Sequence, residues 1–161
     1  MISFGMRGRS TRVAFVVAGA LALAACAQTK PEGLTGNVQP GTGQDFVVNV
    51  GDRVYFANDQ TNLSAQATAT LDKQAQWLGS YSRYTVTIES HADERGTRQY
   101  NIALGARRAD AVRNYLVARG VSASRIKTVS YGKERPVAVC NDESCWSQNR
   151  RAVTVLNNAG S

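Results

Sequence analysis

The sequence predicts an α/β sandwich of α+β type, with helices packed on a mixed sheet in a βαβαββ order. Three observations carry this. Short segments rich in β-branched and aromatic residues alternate with two long stretches whose apolar residues recur at helical spacing. Gly120 follows the second of these stretches where a left-handed cap belongs, with Val121 as its apolar contact. Finally, a polar stretch joins the middle strand to the second helix, where ligand groups commonly sit. Taken in order, Phe46-Val47-Val48-Asn49-Val50 and Arg53-Val54-Tyr55-Phe56 read as extended segments around Gly51-Asp52. Asn62 or Ser64 can cap a helix running through Leu78, with Ala67, Leu71, Ala75 and Leu78 on one face and Gly79-Ser80 ending it. Tyr84 to Ile88 alternates as a half-buried strand. A second helix spans about Arg98 to Arg119, with Ile102, Ala109, Val112 and Leu116 as its stripe. Ile126 to Tyr131 forms a third strand, a long loop runs from Gly132 to Asn149, and Ala152 to Leu156 closes the sheet.

The chain ahead of this domain has a different character. Residues 1–12 hold Arg7, Arg9 and Arg12 and no acid, and an apolar run follows from Val13 to Ala25. A basic start, a short apolar core and a small-residue end describe a secretory signal, and the run is short of the roughly 20 residues a bilayer span needs. Leu23-Ala24-Ala25-Cys26 resembles the bacterial lipobox, which implies cleavage after residue 25 and a lipid at Cys26 (N-palmitoyl, S-diacylglycerol). Ala27 rather than Asp after that cysteine resembles an outer-membrane sorting signal. Residues 26–44, with Pro31, Pro40 and four glycines, are too polar to order themselves and read as a flexible tether. The folded domain is then 45–156, and 157–161 is a tail.

Charge and cysteine usage fit an exported protein. The chain has 19 basic and 12 acidic residues; loss of the three signal arginines leaves sixteen against twelve, a net +4. Export argues against nucleic acid as the partner, and a mildly basic surface suits an anionic wall polymer. With Cys26 taken by lipid, Cys140 and Cys145 remain as an even pair. In an oxidising compartment they are expected to form a disulfide closing a small loop, worth about 2 kcal/mol.

The densest polar stretch is Glu89 to Arg108, ESHADERGTRQYNIALGARR. Asp93 lies in its loop, and Arg108 lies in the helix off the apolar stripe. A carboxylate and a planar guanidinium fork together suit a zwitterion: Asp93 for an ammonium, Arg108 for a carboxylate gripped at two points. His91 is the sole histidine and is expected to bond locally. Arg95 and Arg98 read as solvated or structural, Trp77 as core-facing, and Trp146 as packing on the disulfide loop.

The motifs H-A-D-E-R-G-T-x-x-Y-N-x-x-L-G-x-R-R-A, V-S-Y-G-K-E-x-P and S-x-N-R-R-A-V together resemble the family of domains similar to the C-terminal part of outer membrane protein A, the OmpA-like domains. The resemblance covers about residues 52–156. It implies that Asp93 and Arg108 hold meso-diaminopimelate of the peptidoglycan stem peptide. Asp59, Arg95, Thr97, Asn101 and Leu104 would support them, Tyr100 would line the same loop, and Asn149, Arg150 and Arg151 would lie near the same end. It further implies contact with TolB and the other Tol proteins, and a part in envelope integrity and constriction at division. A wall-binding lipoprotein of the same family outside the Tol system remains an open alternative. Two positions depart from the family pattern: Ser90 stands where Gly is usual, and Asn58 stands where Phe is usual.

An enzyme fits poorly. A zinc-dependent wall amidase needs three ligands and an open position. The chain offers one His and no H-E-x-x-H, and a disulfide would remove both thiols. No G-x-S-x-G and no Cys-His pair with an orienting group is present. The expectation is binding without catalysis, with no metal and no cofactor beyond the lipid.

Overall fold

The computed structural model describes residues 38–157. The signal segment, the lipobox with Cys26, most of the tether and nearly all of the tail lie outside the described residues. Helix α1 is a single turn, Gly43–Asp45, continued by a π-helical turn over Phe46–Val50. Then follow β1 (Arg53–Tyr55), α2 (Ala65–Ser80), β2 (Thr85–His91), α3 (Arg98–Ala118), a 3₁₀ turn at Ala123–Arg125, β3 (Ile126–Gly132), α4 (Glu143–Asn149) and β4 (Arg151–Asn157). The sheet order is β1-β4-β2-β3, with β2 parallel to β3 and β4 antiparallel to both β1 and β2. The sheet is therefore mixed, as the βαβαββ reading requires, with one added helix inside the last connection.

Along β2, Val86, Ile88 and Ser90 are buried while Thr85 is exposed and Thr87 and Glu89 are half-buried. This one-sided pattern marks the face that carries the core. Leu71 and Leu78 of α2 and Val112 and Leu116 of α3 join Val86 and Ile88 there. Ser64, not Asn62, caps α2, its hydroxyl accepting from the Ala67 amide at 3.1 Å. The helix runs on through Gly79 and Ser80 rather than stopping at Leu78. Buried Gln74 ties α2 to its surroundings: it donates to the Gly51 carbonyl and accepts from the Thr154 hydroxyl. At the end of α3, Gly120 has φ 94° and the Val121 amide reaches back to the Leu116 carbonyl, as the sequence leads one to expect.

Two elements differ from the sequence reading. Phe46 to Val50 is helical, not extended. Thr42 caps the turn, and the Asp45 carboxylate accepts from the Gly41 amide, from Asn49 and from the Trp77 indole. These bonds outweigh the β propensity of a Val-rich run. Phe46 packs edge-on against Trp77 at 4.9 Å, while Val47 and Val48 face solvent. The same contacts place Gly41 and Thr42, read as tether, within the fold; the Gly41 carbonyl also accepts from Arg83 and Tyr84. In the second difference, the loop over 132–149 contains α4. Asp142 caps it, the Cys140–Cys145 disulfide braces its start, and Asn149 pins the loop through Val137 and Ala138.

Candidate functional site

The C-terminal end of β2 feeds a short loop into α3, and the backbone of that loop is tied down. Gly96 takes φ 83°, and Thr97 caps α3 through the Tyr100 amide. Asn101, buried one turn into the helix, donates to the Arg95 and Thr97 carbonyls. Lys133 donates to the carbonyls of Glu94 and Gly96. Asn101 and Thr97 thus hold the loop, and Leu104 supplies apolar lining. Beside the loop lies a cleft of about 280 Å³, whose wall includes Asn58, Asp59, Asp93, Arg95, Arg108 and Arg150.

Arg108 forms the floor. It is fully buried, which corrects its placement off the apolar stripe: its side chain shares the inward face of α3 with Asn101, Leu104, Ala109 and Val112. A buried guanidinium is costly unless its donors are used. Here Nε donates to the Gln60 carbonyl at 2.9 Å, Nη1 to His91 at 3.2 Å and Nη2 to Ala57 at 3.1 Å. Each terminal nitrogen carries a second N–H. Among the described residues, no carboxylate lies within ion-pair distance of Arg108. Burial, with the neighbouring Arg150 charge, lowers its pKa to about 10, so it stays a cation at neutral pH.

Asp93 is nearly as buried. Burial alone would raise its pKa, but bonds from Arg95 and Arg150 outweigh this and hold it below the usual carboxylate range. Oδ1 accepts from the Arg95 amide and Nε, each at 3.1 Å; Oδ2 accepts from Arg95 Nη2 at 2.7 Å and Arg150 Nη1 at 3.2 Å. Arg150 is itself buried, donates to the Phe56 carbonyl and pairs with Glu143 of α4. Asp59 sits at the rim with φ 53°, a left-handed angle that is uncommon without glycine. It accepts from the Tyr100 hydroxyl.

The structure thus brings Asp93, Arg108, Asp59, Arg95, Asn101 and Leu104 to one cleft and leaves Thr97 as the cap beneath it. Arg98 pairs with Glu134 on the surface. Arg151 bonds to the Asn149 and Arg135 carbonyls and takes no part in the cleft wall. Arg150 is the residue whose weight the sequence reading missed. Its only signal was its place in the N-R-R-A motif. Trp146 also differs from its reading: it does not simply cover the disulfide loop. Its ring lies 4.1 Å beneath the Arg95 guanidinium, and its indole donates to Glu94. His91 stacks on Tyr131, and its Nδ1 has no partner among the described residues, so it packs rather than bonds. Burial and two nearby arginines lower its pKa to about 4. Ser90 has no positive φ, so the glycine usual there is not required for backbone angle.

Chemically, a carboxylate and a cationic fork in one cleft suit a ligand bearing both charges. Residues 55–151 match the OmpA family, and the chain belongs to that family. Over 149 residues it is 63% identical to a protein of Rhizobium meliloti (strain 1021) named peptidoglycan-associated lipoprotein, covering 88% of this chain and 85% of that one. A protein of the same name from Haemophilus influenzae (strain ATCC 51907 / DSM 11121 / KW20 / Rd) is 41% identical over 142 residues, covering 86% of this chain and 93% of that one. The crystal structure of the peptidoglycan-associated lipoprotein from Burkholderia pseudomallei superposes with a TM-score of 0.64 at 44% identity, covering 66% of this chain and 90% of that one.

Proposed function

We propose that this chain is an outer-membrane lipoprotein of the Tol system that binds the diaminopimelate-bearing stem peptide of peptidoglycan without cutting it. The observation that carries this is Arg108: a buried cation, held by three carbonyls, with no carboxylate partner among the described residues and a cleft in front of it. Diaminopimelate within a stem peptide offers a free carboxylate and a free ammonium. Arg108 takes the carboxylate through its terminal N–H groups, and Asp93 takes the ammonium. Asp59 and Asn101 fix the rim, and Leu104 packs on the methylene chain. The names borne by the relatives support the wall as partner and the lipid anchor at Cys26. TolB contact, outer-membrane location and a role at division are the finer parts of this proposal. Anchored by lipid on one side and bound to the wall on the other, many copies would link the two layers by avidity, although each contact is worth only about 1.5–3 kcal/mol.

The test is co-sedimentation with isolated wall. The protein should pellet with diaminopimelate-containing wall and stay in solution with lysine-containing wall, whose residue lacks the second carboxylate. Equal pelleting with both would remove the zwitterion from the account.

A further inference from the structure

Asp93 has no vacant place for a ligand ammonium. A carboxylate offers roughly four acceptor positions, and Asp93 has four partners: the Arg95 amide, Arg95 Nε, Arg95 Nη2 and Arg150 Nη1. Of these, only the Arg95 side chain can leave easily. Arg150 is buried and bound to Phe56 and Glu143. The Arg95 side chain is 38% exposed. It has a second berth beside the first, since its guanidinium already lies over the Trp146 ring, and Trp146 holds the Glu94 carboxylate next to it. An arginine that swings off Asp93 keeps a cation–π partner and a nearby negative charge.

The third hold on Arg95 is Asn58. Its Oδ1 accepts from Arg95 Nη2 at 2.7 Å. This is one of the two positions where the chain departs from the family pattern, and the Phe usual there has no acceptor to offer.

Resting on the proposed reading of the cleft, we infer that Arg95 is an internal occupant of the ammonium subsite at Asp93, and that Asn58 sets how firmly it is held. A ligand ammonium binds the carboxylate only once the Arg95 side chain has moved aside. The cost of that move is taken from the observed affinity, as for any ligand whose binding-competent state is a minor one. Arg95 then competes with the ligand ammonium for Asp93, and only a cation that outcompetes it takes the subsite.

The experiment is a calorimetric titration of the purified protein with two soluble muropeptides. One carries meso-diaminopimelate; the other carries 2-aminopimelate in its place and lacks the free ammonium. Arg95→Gln should bind the diaminopimelate peptide about tenfold more tightly than wild type and leave the amine-free peptide unchanged. Asn58→Phe should shift the same way by about threefold, the loss of one hydrogen bond to the resting arginine. Unchanged or weaker binding of the diaminopimelate peptide by Arg95→Gln, or an equal gain on both peptides, would overturn the inference. Asp93→Asn in the same titration separates the two levels. If it binds the diaminopimelate peptide as wild type does, the reading of the cleft itself fails. If it loses binding while Arg95→Gln shows no gain, only the role of Arg95 fails.

Discussion

The two halves of α3 line different interiors. From Ala109 to Leu116 the buried residues are apolar and belong to the main core, and the helix ends on an ordinary glycine cap. From Asn101 to Arg108 the buried face includes an amide and a guanidinium. Gly105 sits between them, where a Cβ would collide with the Ser130 side chain. One half of the helix gains stability by removing methylenes from water. The other half holds a charge in place, and its stability depends on three backbone carbonyls delivered from two other segments, the turn over Ala57–Gln60 and the end of β2. The same helix therefore anchors the fold and presents the site, and the two jobs can be separated by mutation.

The largest expected effect on stability comes from the apolar half. Leu116→Ala empties a fully buried position and should cost about 2–5 kcal/mol in denaturant unfolding. Wall binding, measured where the variant is still folded, should be unchanged. A variant that lost binding in proportion to stability would mean that the halves are not separable.

A smaller effect sharpens the polar side. His91 has a pKa of about 4 when folded, against the ordinary histidine value of 6.5. Above pH 6.5 both states are neutral there and the full stability is present. As pH falls from 6.5 towards 4, the unfolded chain takes up a proton that the folded chain refuses. Stability should then fall by up to about 3 kcal/mol over that window. His91→Phe keeps an aromatic ring beside Tyr131 and has nothing to titrate. Its stability curve should lie flatter than wild type between pH 6.5 and 4, and parallel curves would show that the histidine charges freely in the fold.

The apolar half was the legible half. Ala109, Val112 and Leu116 of α3, the glycine cap and the four buried apolar positions of α2 follow from spacing alone, whereas Ile102 of the same stripe is only half-buried. Phe46–Val50 was not legible, because its composition favours a strand and the bonds that make it a helix come from Thr42 and Asp45 and from Trp77 in the next helix. The depth of Arg108 was hidden for a similar reason. An arginine in a helix reads as solvated, and the Ala57, Gln60 and His91 carbonyls that allow its burial lie 17 to 51 residues away in sequence. Arg150 is subject to the same blindness, being joined to Asp93 across 57 residues. What the sequence did convey about the cleft, the pairing of Asp93 with Arg108, came from motif resemblance and from the complementary chemistry of the two side chains.

The most direct test of the central claim is co-sedimentation of Asp93→Asn and Arg108→Lys with diaminopimelate-containing wall. Asn keeps the shape of Asp93 without its charge, and Lys keeps the charge of Arg108 without its planar fork. Both proteins should remain folded and stay in the supernatant. If either pellets with the wall as wild type does, that residue does not hold the ligand.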